Sequence, residues 1–149
     1  VKNKNGGKRK MEETINEPFG PHLMLDLREC ITKRLKDYNL VFNVLNELPE
    51  MIGMTKITQP YVFPYSGLVP EDKGITGVVV IAESHISIHT FQEKDHCFID
   101  VFSCKDFDVD FAEKYLVNTF GSKKYDRYLV SRGKHFARYG QPVMAACVK

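Results

Sequence analysis

The sequence lacks a strong charge of either sign: 21 basic and 19 acidic side chains leave a formal net charge of +2 over 149 residues. So weak a field offers no electrostatic route to a nucleic acid or an anionic membrane, and neither is expected as a partner. Long apolar runs are missing as well. Stretches such as Val78–Ala82 fall far short of the ~20 residues that a bilayer-spanning helix needs, and no charged start followed by an apolar signal segment is visible. A cytoplasmic location follows as the expectation. Cys30, Cys97, Cys104 and Cys147 are widely spaced and form no CxxC pair, which argues against a disulfide framework or a zinc knuckle and for free thiols. There is no P-loop, Rossmann glycine pattern, GxSxG elbow or internal repeat, so nucleotide hydrolysis, dinucleotide chemistry and an ordinary hydrolase triad are disfavoured.

What is present is a composition able to build a core. With 43% hydrophobic and 11% aromatic residues, the chain suits one globular domain. Residues 1–18 are polar, basic and glycine-containing with no apolar face to bury, and read as a disordered leader. The five lysines and arginines in that stretch have no aromatic interleave, which makes a nucleic-acid tail a weak reading. Residues 19–149 are expected to form the single domain.

In "HLMLDLREC", Leu23, Leu25 and Leu27 alternate with Met24, Asp26 and Arg28, the pattern of a half-buried strand. "LKDYNLVFNVLNEL" spaces Leu40, Phe42, Val44, Leu45 and Leu48 for a helical face, which Pro49 and Gly53 are expected to close. "TKITQPYVF" reads as a strand whose Pro60 implies an edge or bulge, and "PYSGLVPEDKGITG" as a loop. Val78–Ile81, Ile86–Thr90 and Phe98–Ser103 are three further strands. "DVDFAEKYLVNTFG" predicts a helix capped by Asp108, with Phe111, Tyr115 and Leu116 as its face and Gly121 as its stop. "YDRYLVSR" is the last strand. The order β-α-β-β-β-β-α-β, with hairpin-length gaps in its middle, predicts an α+β two-layer sandwich, mainly antiparallel, with helices on one face.

Chemistry concentrates in Gly77–Cys104. His85, Ser87 and His89 share one face of an ideal strand, while Ser84, Ile86, Ile88 and Thr90 share the other. Three readings compete. In the first, the two imidazoles hold a metal with help from Asp95, His96 or Cys97, although the HxxxH spacing that signals zinc does so on a helix. In the second, each imidazole hydrogen-bonds within the sheet. In the third, Ser84 is a nucleophile; His89 lies on the wrong face for it unless the strand breaks at Glu83-Ser84 and Ser84 opens a new one.

"GVVVIAESHISIHTF", followed by an acidic residue and then "IDVFSC", resembles the processing and catalytic region of bacterial and archaeal S-adenosylmethionine decarboxylase proenzymes. The likeness extends more loosely to "FGPHLMLDLREC" and spans residues 19 to 135 as an ordered series of elements. It implies a self-cleaving, pyruvoyl-dependent enzyme of spermidine biosynthesis, cut between Glu83 and Ser84. Ser84 Oγ would attack the Glu83 carbonyl in an N-to-O acyl shift, and elimination and hydrolysis would leave a pyruvoyl group and ammonia. No metal or external cofactor is implied. His89 and the Thr76 hydroxyl match the family's processing residues. The family usually has serine at the latter position, and the extra methyl with its rotamer restriction implies slower processing. The pyruvoyl ketone condenses with the substrate amine and takes up the electrons released with carbon dioxide. Cys104 matches the proton donor, and an unperturbed thiol is largely protonated at neutral pH. Residue types alone read it as a buried strand cysteine, as Cys30, Cys97 and Cys147 are read.

For substrate, the resemblance places Glu93 at a ribose and Phe91 where a tryptophan commonly stacks on adenine, with Phe63 as the second aromatic plate. The segment from Phe63 to Thr76 is longer than the family's usual loop, and Lys105 replaces a common glycine beside Cys104. These departures keep open a related pyruvoyl-dependent arginine or ornithine decarboxylase, in which Glu93, Asp95 and Asp100 would meet a distal cation. An unprocessed regulatory partner of an active decarboxylase is the third alternative. The resemblance also implies a homodimer of processed protomers, two α and two β fragments, with active sites near or across the interface.

Overall fold

A computed structural model of the protein describes residues 17–136. Most of the expected leader and the Cys147 thiol lie outside the described residues; Glu17 and Pro18 carry no regular structure and are exposed. Six strands and three helices follow in the order β1 (Gly20–Arg28), α1 (Thr32–Leu35), α2 (Tyr38–Met51), β2 (Tyr61–Tyr65), β3 (Gly74–Ile81), β4 (Ser84–Phe91), β5 (His96–Ser103), α3 (Val109–Phe120) and β6 (Lys124–Arg132). The strands form one sheet in the order β2-β3-β4-β5-β1-β6, and each neighbouring pair is antiparallel. The α+β two-layer architecture is as expected.

Alternation decides which side of the sheet is covered. Leu23, Leu25 and Leu27 of β1, Val79 and Ile81 of β3, Ile86 and Ile88 of β4, and Ile99 and Val101 of β5 are all buried in one core with the helices. Full burial of each such side chain is worth about 1.5–3 kcal/mol, so this face holds the domain together. Gly77 lies under α2: a Cβ there would come within 2.6 Å of Leu45 Cδ1, so the bare backbone is what lets that helix sit close to β3.

Several expected details change. The buried stripe of α2 is Val41, Val44, Leu45 and Leu48, a regular i, i+3, i+4, i+7 set, while Leu40 and Phe42 pack at its margins. Pro49 does not close this helix but lies inside it. Its missing N–H falls in the last turn, and the chain leaves the helix only at Ile52 and Gly53, where φ is +73°. In α3 the buried residues are Ala112, Leu116 and Phe120, four apart, whereas Phe111 is 40% exposed and stacks on Tyr115. Asp108 does cap this helix, accepting from Phe111 N, and Gly121 ends it at φ +62°.

Thr55–Gln59 are not a strand proper. They run beside β3 through a single bridge, Lys56 with Ile81, and β2 begins only after Pro60, as the sheet edge. The expected loop shrinks to Ser66–Lys73, because Pro64 and Tyr65 belong to β2 and Gly74–Gly77 to β3. The short α1 was not foreseen. No helix of the described residues is long and apolar enough to cross a membrane.

Candidate active site

The alternation that buries the apolar rows places the chemistry on the opposite face. Register across the strands defines three rows there: Val80–His85–Phe102–His22–Val130, Val78–Ser87–Asp100–Met24–Tyr128 and Thr76–His89–Phe98–Asp26–Asp126. Several of these residues are exposed, among them Val80, Phe98, Tyr128 and Val130.

At one end of the face, β3 and β4 are joined by the two-residue turn Ala82–Glu83, with Ile81 opposite Ser84. Tight hairpins usually need Gly, Asn or Asp at the turn positions to supply positive φ. Neither Ala82 nor Glu83 supplies it. The positive value falls on Ser84 instead, at +156°, outside the ordinary range of a residue with a side chain. The break in strand geometry at Glu83-Ser84 that a nucleophilic serine requires is therefore present.

The turn is gripped from two sides. On one, Ala82 N donates to Thr55 O at 2.8 Å and Thr55 N donates to Glu83 Oε2 at 3.0 Å. On the other, the Cys104 N–H donates to the Glu83 carbonyl oxygen at 2.9 Å. That is the carbonyl next to Ser84, and an N–H directed at its oxygen both polarises the carbon and receives a developing oxyanion. The Ser84 hydroxyl lies 3.1 Å from His85 Nδ1. Beside Cys104, the buried Ser103 hydroxyl accepts from Lys105 N at 2.9 Å and donates to Lys105 O at 2.7 Å, which fixes the bend in the chain. Lys105 does not crowd this site: its ammonium donates to Gly53 O at 2.9 Å.

A second group occupies the other end of the same face. Thr76 Oγ1 and His89 Nδ1 are 3.2 Å apart, and Phe63 on β2 lies opposite Thr76. Phe91 meets Phe98 edge to face with centroids 5.5 Å apart, and Glu93 follows in the β4–β5 turn, bonded to Gln92. The fold thus divides the expected residues into Glu83, Ser84 and Cys104 on one side and Phe63, Thr76, His89, Phe91 and Glu93 on the other. Along an extended strand the five-residue step from Ser84 to His89 is roughly 17 Å. One chain does not bring His89 to Ser84.

The same spacing bears on metal binding. His85 and His89, four residues apart on one strand, are separated by roughly 13 Å and cannot share an ion. Among the described residues no group of three or more His, Cys, Asp or Glu side chains is placed to hold one. The carboxylates considered for a basic amino acid do not converge either. Asp100 is engaged by His22 and Ser87 in mid-sheet, and Asp95 accepts from Thr32 at the far turn.

The sequence reading missed a network in the middle of the face. His22 Nε2 lies 3.1 Å from Asp100 Oδ1, the Ser87 hydroxyl donates to Asp100 Oδ2 at 3.3 Å, and Arg132 Nη1 is 3.4 Å from His22 Nδ1. The Arg132 guanidinium sits 4.1 Å above the Phe102 ring, whose neighbours include His22 and His85. Nothing in the sequence marks this set, because β1, β5 and β6 meet only in the folded sheet. Burial pushes the His85 imidazole below its usual pKa, with His22 adding to the effect. Burial likewise pushes the Cys30 thiol up to about 11 and Cys97 well above the usual thiol value, which keeps both protonated and unreactive.

Comparison with known proteins places these features in context. The family model for S-adenosylmethionine decarboxylase matches residues 21–133. The S-adenosylmethionine decarboxylase proenzyme of Thermodesulfovibrio yellowstonii is 35% identical over 108 residues, covering 70% of this chain and 74% of its own. That of Pseudomonas aeruginosa is 33% identical over 123 residues, covering 82% and 73%. The crystal structure of the adenosylmethionine decarboxylase from Aquifex aeolicus superposes with a TM-score of 0.67 at 27% identity, covering 78% of this chain and 92% of that one.

Proposed function

The chain belongs to the S-adenosylmethionine decarboxylase family, and from that premise we propose that residues 19–149 form one self-processing, pyruvoyl-dependent carboxy-lyase domain. Its reaction is the decarboxylation of S-adenosylmethionine to the aminopropyl donor of spermidine biosynthesis, and it works in the cytoplasm. The observation that carries this reading is the Glu83-Ser84 turn, where a carbonyl held by the Cys104 N–H stands beside a serine with non-strand backbone geometry.

The chain's own residues fit the prosthetic group. Ser84 supplies its atoms, and the hydrogen bond to the Glu83 carbonyl activates the bond that must break to make it. A pyruvoyl group at this position supplies an electron sink for loss of carbon dioxide. Cys104, whose amide already adjoins this turn, is the proton donor to the decarboxylated carbon. The Thr55 contacts keep Ala82 and Glu83 paired beside β3 after the chain is cut.

Two half-sites roughly 17 Å apart on one strand need a second copy to become one site. The open face that carries both also exposes Phe63, Phe98, Tyr128 and Val130. A homodimer joined through this face, containing two α and two β fragments, would set Ser84 and Cys104 of one protomer against Thr76, His89, Phe63, Phe91 and Glu93 of its partner. In that assembly His89, hydrogen-bonded by Thr76, assists processing. Phe63 and Phe91 clasp the adenine, and Glu93 accepts from the ribose hydroxyls.

The test is the intact mass of freshly purified protein under denaturing conditions, followed by release of carbon dioxide from carboxyl-labelled S-adenosylmethionine. Two fragments divided after Glu83, with the C-terminal one lighter by an ammonia than a Ser84-initiated peptide, are expected. A single full-length mass that persists on long incubation refutes the reading and favours an unprocessed partner protein.

A further inference from the structure

We infer that His85 is the base of self-cleavage, its Nδ1 taking the hydroxyl proton of Ser84 within the same chain as Oγ attacks the Glu83 carbonyl. The inference rests on the self-processing reading above and assigns the first proton transfer, from the serine hydroxyl, to the imidazole it touches at 3.1 Å; His89, roughly 17 Å away along β4, keeps the assisting role given to it above.

Adjacent residues on a regular strand point to opposite faces, so Ser84 Oγ and His85 Nδ1 should not meet. They lie 3.1 Å apart because Ser84 leaves strand geometry at φ +156°. A candidate base must be within hydrogen-bond reach of the proton it removes, and among the described residues Nδ1 is the partner of this hydroxyl. The imidazole is held in place by cross-strand neighbours: Val80 of β3 and Phe102 of β5 lie opposite it, with the Phe102 ring edge-on at 5.8 Å between centroids.

Charged and titratable groups reach it from three strands. His22 of β1 and Arg132 of β6 disfavour a cation at His85, and Asp100 of β5 favours one, while burial outweighs each of them. The ring is thus neutral near neutral pH and free to accept a proton. As the Oγ–C bond to Glu83 forms, the hydroxyl proton passes to Nδ1 and the carbonyl oxygen becomes an oxyanion under the Cys104 N–H. As the oxyanion collapses, the C–N bond to Ser84 breaks and its nitrogen takes the proton back from the imidazolium. The products are an ester at Ser84 and a free amine, with the histidine regenerated.

Cleavage of the full-length chain is followed by mass against time from pH 5 to 8 for the wild type, His85→Asn, and His85→Ala with and without added imidazole. The wild-type rate should rise with pH through a midpoint below the usual imidazole pKa, then level off. His85→Asn keeps a polar atom near Nδ1 but cannot carry the proton, and should cleave at least ~100-fold more slowly with that rise gone. Added imidazole should restore cleavage to His85→Ala, which only a folded site permits. The inference is overturned if His85→Asn cleaves at the wild-type rate, or slowly but with the wild-type pH midpoint intact. A wild-type chain that never divides after Glu83 refutes the self-processing reading itself, a result distinct from either.

Discussion

A site shared between two chains can be tested by counting. Ser84 and His89 stand at opposite ends of β4, five residues and roughly 17 Å apart, a gap that no histidine rotamer closes. If His89 acts across the interface, a Ser84→Ala chain and a His89→Gln chain are each unable to cleave alone, yet a heterodimer of the two holds one complete site. That site pairs Ser84 of the His89→Gln chain with His89 of the Ser84→Ala chain. Random pairing at equal expression makes about half of all dimers mixed. About half of the His89→Gln chains should therefore be cut and no Ser84→Ala chain should be, so about a quarter of all chains are processed. Co-expression with distinguishable tags, purification of the doubly tagged species and intact-mass measurement give the fraction directly. In that purified heterodimer the fraction of His89→Gln chains cut should approach one. Efficient cleavage of His89→Gln alone would refute the argument, as would an uncut mixed dimer under conditions where the wild type is fully cut.

Three further outcomes follow from packing and titration. Leu48→Ala removes a fully buried side chain between α2 and the sheet and should cost about 2–5 kcal/mol, read as a lower urea midpoint with an unchanged slope. Asp108→Ala frees the Phe111 N–H at the start of α3 and should cost about 1 kcal/mol in the same assay; no loss would mean that this cap is redundant. Cys30 and Cys97 should resist iodoacetamide at pH 8 in the folded protein, since burial holds both thiols above their usual pKa and the thiolate is the reactive form. Peptide mapping after labelling checks this, and rapid modification of either residue would contradict their placement in the core.

Features whose physics is local were legible in the order of the residues alone. Period-two apolar alternation identified the strands at Leu23–Leu27 and Ile86–Thr90, and Asp108 and Gly121 marked the ends of α3 because cap and stop depend on a few adjacent residues. That order misled where partners decide. Phe111 was expected inside and lies half in solvent, because which face of an amphipathic helix is buried depends on the sheet it meets, and Ala112 fits that contact more closely. The motif at Glu83-Ser84 was legible, yet the Cys104 N–H on the Glu83 carbonyl spans two strands and is created by their register. His22, Asp100 and Arg132 come from three strands far apart in the chain and become neighbours only through the β5-β1-β6 order.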